Sequence, residues 1–279
     1  MQTGKGNPFR RRSTFERFAS KAGHIVPAPL WAAMRHGYQR ALFRVRPESL
    51  VSTLPGGERI RLVPALRQLT WNTDEYDVFR RDVRPGDVVF DVGANLGAYT
   101  LLFAQWVGPA GRVFAFEPAR EPFEGLTALL EVNGLSSRVT AMQAAVSGTE
   151  GTVPFLVDAV DGSSHILDDG DPRGAVQVQA VTIDSVCRRE GVVPSLIKID
   201  AEGAELDVLR GARATIAAGG SALKLYVEMH PRLWRDFSVM RAEIEAELAH
   251  QGLRARRLDG DLAIWNIEGV CLQLEKCGS

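Results

Sequence analysis

Cysteine is scarce in this chain: three among 279 residues, Cys187, Cys271 and Cys277, an odd number without a C-x-x-C pair. That excludes a disulfide framework and gives no zinc-site spacing. Long apolar runs are missing too. The longest uncharged stretch near the start, Ile25 to Met34, is broken by Pro27 and Pro29 and falls well short of the roughly 20 residues a membrane-spanning helix needs. No signal peptide is visible, so a reducing cytoplasm is the expected setting. Lysine supplies only 5 of the 33 basic residues, a bias that reads as GC-rich coding, not chemistry. A large net charge is lacking as well: 33 basic against 34 acidic residues leave −1, and no nucleic-acid partner is expected. With 45% apolar and 24% charged residues, disorder and collagen-like repeats are excluded. At this length one large domain, with or without an extra segment, can bury its own core.

What charge there is lies unevenly. Residues 1–50 carry ten Lys/Arg and two Asp/Glu, including Arg10-Arg11-Arg12, with Phe15, Phe18, Leu30, Trp31, Met34, Tyr38, Leu42 and Phe43 interleaved. The segment is expected to cap the main domain, its arginine stems along apolar surface and their heads in water, with residues 1–12 disordered. The alternative is a basic amphipathic arm making weak contact with a membrane surface or an acidic partner. The division expected is a basic N-terminal extension over 1–70 and a main domain over 71–279 that carries an insertion at about 147–180.

From Val51 onward the texture changes. Arg59 to Val63 alternates like a half-buried strand, and Thr73 to Val83 reads as a helix ended by Pro85-Gly86. Asp87 to Val92 is a short, nearly continuous apolar run, as in a strand buried on both faces. A glycine turn and a helix from Tyr99 to Val107 come next. Strands at Arg112–Phe116 and about Val139–Val146 flank a helix from Pro122 to Val132, completing a βαβαβ half of a doubly wound α/β sheet. The polar region that interrupts it holds a strand at Thr152–Val157 and the run Asp168-Asp169-Gly170-Asp171, read as a solvated loop. Then come a helix at Ile183–Glu190, a strand at Ser195–Ile199, a helix at Glu205–Ala218, a strand at Leu223–Val227 and a helix at Met240–His250. Two last strands, about Leu253–Leu258 and Leu262–Ile267, are joined at Asp259-Gly260, a hairpin signal.

The sharpest motif is Asp91-Val92-Gly93-Ala94-Asn95-Leu96-Gly97. Its glycines allow a tight turn and close approach of a ligand to a helix N-terminus. A nicotinamide dinucleotide site would want Gly-x-Gly-x-x-Gly; the spacing here is Gly-x-x-x-Gly with an acid before it. Asp91 suits a cationic amino-acid group better than a pyrophosphate. Glu117 ends the next strand, 20 residues beyond Gly97, where a carboxylate can accept both hydroxyls of a ribose. Acid, glycine turn and second acid together favour a nucleoside ligand over a structural turn.

These residues resemble the first motif of the class I S-adenosylmethionine-dependent methyltransferases, and specifically of the FkbM family. Ile197-Lys198-Ile199-Asp200-Ala201-Glu202-Gly203-Ala204-Glu205 is similar to that family's second hallmark, Lys-Ile-Asp-x-Glu-Gly-x-Glu; Val208 to Ala212 and Glu228-Met229-His230 also fit. The resemblance covers about Glu75 to Ile267. It implies a Rossmann-like, mostly parallel seven-stranded sheet in the order 3-2-1-4-5-7-6, and methylation of hydroxyls on sugars, polysaccharides or secondary metabolites. It further implies that Asp91, Gly93, Asn95 and Gly97 cradle the methionine part of S-adenosyl-L-methionine, that Glu117 with Pro118 holds the ribose, and that Gln143, Ala145 and Val146 flank the adenine.

At the strand ends beside that crevice stand Asp200, Glu202, Glu228 and His230. An alcohol must lose its proton as it attacks a methyl group, and histidine is the commonest general base; His230 is therefore the expected base or its orienting partner, and Asp200 the residue that positions the acceptor hydroxyl. Glu205 is expected only to cap the next helix, where negative charge is favoured. Mg²⁺ held by the same carboxylates is the less favoured alternative. His165 sits in the insertion with nothing to fix its direction. The expected activity is O-methylation of a small-molecule or glycan acceptor, as in natural-product biosynthesis. The other readings are an N-methyltransferase on the same fold, a disfavoured NAD(P)-dependent oxidoreductase and a non-catalytic nucleoside-binding module.

Overall fold

The computed structural model of the chain describes residues 51–62, 71–156, 165–166, 175–234, 237–258, 265 and 269–277. The basic segment 1–50, the Asp168–Asp171 run and the side chain of His165 lie outside the described residues. The chain enters as a hairpin of β1 (Val51–Thr53) and β2 (Arg59–Arg61). Glu58 pins that hairpin to two helices further along the chain, its carboxylate accepting from the Tyr76 hydroxyl at 2.6 Å and the Trp106 indole at 2.7 Å. Helix α1 (Thr73–Asp82) begins where the Asn72 side chain accepts the amides of Asp74 and Glu75, satisfying two of the donors that a helix start leaves over.

The βα alternation then runs as read: β3 (Val88–Val92), α2 (Ala98–Trp106), β4 (Arg112–Phe116), α3 (Arg120–Val132) and β5 (Val139–Met142). The expected third strand is in fact two. At Gln143-Ala144 the chain leaves the main sheet, and β6 (Ala145–Val146) starts a second, four-stranded sheet with β7 (Gly151–Leu156), β8 (His165–Ile166) and β9 (Val176–Val181), in the order β6-β9-β7-β8. The main sheet resumes through α4 (Ile183–Glu190) and β10 (Leu196–Asp200).

The single helix expected over Glu205–Ala218 is broken into α5 (Glu205–Arg210) and α6 (Arg213–Gly219). Two features mark the break. The Asp184 carboxylate accepts the amides of Ala214 and Thr215, capping the second piece, and at Gly211 a Cβ would stand 2.2 Å from the Ser147 carbonyl oxygen. Next come β11 (Lys224–Met229), a 3₁₀ turn at Pro231–Leu233, α7 (Phe237–His250), β12 (Leu253–Arg257) and β13 (Val270–Lys276). The last strand thus starts later than expected: Trp265, inside the stretch read as strand, is a bend. The expected turn at Asp259-Gly260 lies outside the described residues; β12 and β13 pair with Arg257 opposite Leu272.

The main sheet has the order β12-β13-β11-β10-β3-β4-β5, parallel from β5 to β11, with β13 antiparallel to both its neighbours. Counted from β3 this is 3-2-1-4-5-7-6, the order the resemblance implied. Alternate residues along each central strand feed two cores. Val89, Leu196 and Tyr226 join Phe79, Leu101, Phe103 and Leu129 under α1 to α3; Phe90, Ile197 and Leu225 join Ile183, Leu209, Ile216 and Ile244 under α4 to α7. This two-sided cover is what makes the central strands read as continuous apolar runs. Among the described residues no helix is long and apolar enough to cross a membrane.

Candidate active site

Strand β3 delivers Asp91 to the carboxyl edge of the sheet, and the turn after it is held open by backbone that few residues adopt. Gly93 and Gly97 have φ of 75° and 87°. At Gly93 a Cβ would lie 1.8 Å from the Asp200 carbonyl oxygen, so β3 and β10 approach here only because the residue has no side chain. Asn95 also has a left-handed backbone, φ 48°, and its N–H donates to Glu117 Oε2 at 2.8 Å. Glu117 Oε1 accepts from the Ala119 N–H, also at 2.8 Å. One buried carboxylate thus ties the turn after β3 to the turn after β4. Burial raises the Glu117 carboxyl to about 7 against these two stabilising hydrogen bonds.

Asp91 is 1% exposed. Its Oδ2 accepts from the Thr100 hydroxyl at 2.5 Å, while Oδ1 is buried without a hydrogen-bond partner. Burial raises its pKa; facing Lys198 opposes that. An unpaired buried oxygen costs about 1–3 kcal/mol, a cost relieved by a ligand that brings a donor.

Beyond this turn a cleft encloses about 630 Å³ of empty space, part of it open to solvent. Gly93, Asn95, Glu117, Pro118, Ala145 and Val146, the residues read as cofactor-binding, line it, and Asp200 and Glu202 line it too. Asp91 lies behind the lining. Gly97 is not in it either: it is the N-cap of α2, and a Cβ there would meet Leu126 Cδ1 at 2.6 Å, so its work is close packing of the turn on α3. Gln143 is exposed and outside the lining, its place taken by buried Ala144. The sequence reading missed Phe155 and Ile166, which reach the cleft from β7 and β8. A strand at Thr152–Val157 was read, but not which wall it would form. No Lys or Arg lines the cleft among the described residues; three carboxylates do.

The second group of expected residues converges at one end of the cleft. Asp200 and Glu228 are register partners on β10 and β11, and Glu202 comes next along the chain in a left-handed conformation, φ 45°. His230 Nε2 stands 3.6 Å from Asp200 Oδ1, 3.6 Å from Glu202 Oε2 and 3.8 Å from Glu228 Oε1. Its Nδ1 is 2.8 Å from Oε1 of Glu205, a fully buried residue. Glu205 is therefore more than a helix cap: it accepts from the Gly203 N–H at 2.8 Å and the Trp234 indole at 3.3 Å while fixing the imidazole. Burial alone would lower the His230 pKa, but the Glu205 hydrogen bond and the carboxylates of Glu205, Asp200 and Glu202 outweigh it and raise the group to about 9. Burial, with Asp200 alongside, pushes Glu228 up.

Two residues to which the sequence reading gave no role in the site complete the cluster, though Lys198 opens the hallmark motif. Lys198, 3% exposed, extends from β10 beside Asp91; its Nζ is 3.1 Å from Asp200 Oδ2 and 5.2 Å from the centre of the Tyr99 ring. Burial lowers its pKa, but Asp200 and Asp91 more than offset this and the result is raised. Glu75, from α1, is buried against Tyr99 and faces Lys198 and Asp200, and burial raises it. A lysine inside an otherwise apolar strand was the available signal for Lys198; Glu75 gave none beyond its place in the first turn of a helix.

Comparison with known proteins adds an independent line. The family model for the methyltransferase FkbM domain matches residues 91–255. The 31-O-demethyl-FK506 methyltransferase FkbM of Streptomyces tacrolimicus is 46% identical over 80 residues, 28% of this chain and 30% of that protein. The hexuronic acid methyltransferase AglP of Haloferax volcanii is 26% identical over 149 residues, 52% of this chain and 58% of that protein. The chain thus spans 30% of the first relative and 58% of the second, less than two thirds of either. Among solved structures, a Clostridium thermocellum protein described as an rRNA methylase superposes with a TM-score of 0.50 at 16% identity, covering 76% of this chain and 99% of that one, a likeness of fold alone.

Proposed function

The chain belongs to the FkbM methyltransferase family, and from that premise we propose that it transfers a methyl group from S-adenosylmethionine to a hydroxyl of a sugar or natural-product scaffold. The observation that carries the proposal is the charge of the cleft. Glu117, Asp200 and Glu202 line it and no basic side chain does among the described residues, which suits a ligand bearing ammonium and sulfonium groups and repels a pyrophosphate. The unpaired Asp91 Oδ1 fits the same ligand, because an ammonium is a donor without acceptor capacity.

In this reading Asp91 holds the amino-acid end and Glu117 accepts the ribose hydroxyls. Pro118, Ala145, Val146, Phe155 and Ile166 form the apolar walls for the adenine. When bound, S-adenosylmethionine supplies an electrophilic methyl group and leaves as the neutral thioether. The chain's own task is to orient the acceptor hydroxyl and take its proton as the new C–O bond forms. Asp200 and Glu228, side by side at the ends of β10 and β11, supply carboxylates for that proton, and Glu205 keeps the His230 ring turned toward them.

The test is incubation with methyl-labelled S-adenosylmethionine and a panel of polyhydroxylated acceptors, read by mass spectrometry. Label in an ether of the acceptor supports the reading. Label on nitrogen, or binding without transfer to any acceptor of the panel, overturns it.

Glu117 also makes cofactor binding depend on pH. Its carboxyl sits at about 7 in the free protein, and protonation removes acceptor capacity that the ribose needs. Cofactor Kd should therefore rise by about tenfold for each pH unit below 7, whereas Glu117→Gln should bind more weakly with a flatter profile. Calorimetry between pH 5.5 and 8 on both proteins checks this, and parallel profiles would remove Glu117 from the ribose.

A further inference from the structure

We propose that Asp200, Glu202, Glu228 and His230 form a binding site for one divalent cation of the Mn²⁺ type at the end of the cleft. The binding claim stands on geometry; only its use in activating an acceptor hydroxyl rests on the methyl-transfer reading. Asp200, Glu202 and His230 each offer a ligand atom, all within 4.8 Å of one another, and Glu228 Oε1 lies 3.8 Å from the same imidazole nitrogen. Ligands about 2.1 Å from one cation stand roughly 3.0–3.5 Å apart in octahedral or tetrahedral geometry. The two 3.6 Å separations from His230 Nε2 to Asp200 and Glu202 therefore close on a cation with shifts of a few tenths of an ångström, within side-chain reach.

The histidine is the second, independent observation. Its side chain is 8% exposed and its Nδ1 is engaged by Glu205, a residue with no exposed side chain. That turns Nε2 toward the three carboxylates, 3.6–3.8 Å away, where a bound cation would take the place of the ring's second proton. A carboxylate that holds the far nitrogen of a ligating histidine is the usual support of a metal site, fixing both tautomer and ring direction. Lys198 does not fill this position, since its Nζ is engaged by the other oxygen of Asp200.

The donor set decides the class of ion. Carboxylates alone would suit Mg²⁺ or Ca²⁺, but an imidazole among them favours a borderline cation that accepts both nitrogen and oxygen. Such an ion, with an acceptor oxygen as a further ligand, would lower the pKa of that hydroxyl in the manner of a Lewis acid.

The experiment is a Mn²⁺ titration of the EDTA-stripped, desalted full chain, monitored by loss of the aqueous Mn²⁺ paramagnetic signal. S-adenosylmethionine binding is measured on every sample as the check of folding. One Mn²⁺ per chain is expected, with a Kd below about 0.1 mM. Asp200→Asn and His230→Gln should each weaken it at least about tenfold, and Glu205→Gln, which removes no ligand, about 10–100-fold. Stripped protein that binds S-adenosylmethionine but takes up no Mn²⁺, or uptake unchanged in His230→Gln, overturns the site. Methyl transfer undiminished in EDTA would remove the hydroxyl-activating role. Mn²⁺ uptake in a protein that transfers no methyl group would keep the site and remove the methyl-transfer reading instead.

Discussion

Glu228→Gln is expected to lower kcat for methyl transfer by about 10²–10⁴-fold, the range for losing a group that manages a proton in the transition state, while S-adenosylmethionine affinity stays nearly constant. The separation arises from position. Glu228 ends β11 beside Asp200 and faces His230, but it is not part of the lining that Gly93, Glu117 and Val146 form. The amide keeps the shape of the side chain and removes its charge, so folding is little disturbed. An equal fall in kcat and kcat/KM would mark an interaction made only in the transition state. Turnover close to that of the unchanged protein would take Glu228 out of the chemistry.

Gly93→Ala is the second large effect, and here fold and site fail together. The added carbon would stand 1.8 Å from the Asp200 carbonyl oxygen, at a φ of 75°. Neither strand can yield cheaply, because both lie in the middle of the sheet with register partners on each side. The left-handed backbone alone costs roughly 1–2 kcal/mol, and overpacking adds about 1–3 kcal/mol. Gly134 is the control: its φ is 67° and nothing lies within 4 Å of the added carbon, so Gly134→Ala should show only the backbone cost. Thermal unfolding and calorimetry on the pair should give a sharply lower melting temperature and no measurable cofactor binding for Gly93→Ala alone. Similar behaviour of the two would mean that the β3–β10 approach does not hold the turn in place.

The sequence made the repeating part of the fold readable. β4 and α4 fall on the stretches expected for them, because periodicity and caps are local signals. The breaks were not readable. Gly211, at the end of α5, faces the backbone of Ser147, 64 positions earlier, with no room for a side chain, and the chain leaves the main sheet at Gln143 to pair with β9; both are long-range facts. The same divide runs through the site. Motif spacing brought Asp91, Gly93, Asn95 and Glu117 into one region, and Asp200, Glu202, Glu228 and His230 into another. The charge on His230 depends on which way Glu205 points, and the wall made by Phe155 and Ile166 depends on how the second sheet docks. Neither has a sequence period.

The two strands whose close approach Gly93 permits are far apart in the chain: the Val88 N–H donates to the Ser195 hydroxyl across 107 positions. During synthesis at about 5–20 residues per second, β3 leaves the ribosome roughly 5–20 s before β10 can pair with it. In that interval only β4 and β5 can pair beside β3, so the flank of β3 that β10 will cover is unpaired and apolar, the kind of edge that invites other chains. The glycine turn acquires its final support only when Asp200 arrives. A chain that ends before residue 200 therefore carries an uncovered strand edge and a cleft that lacks the wall made by Asp200 to Ala204.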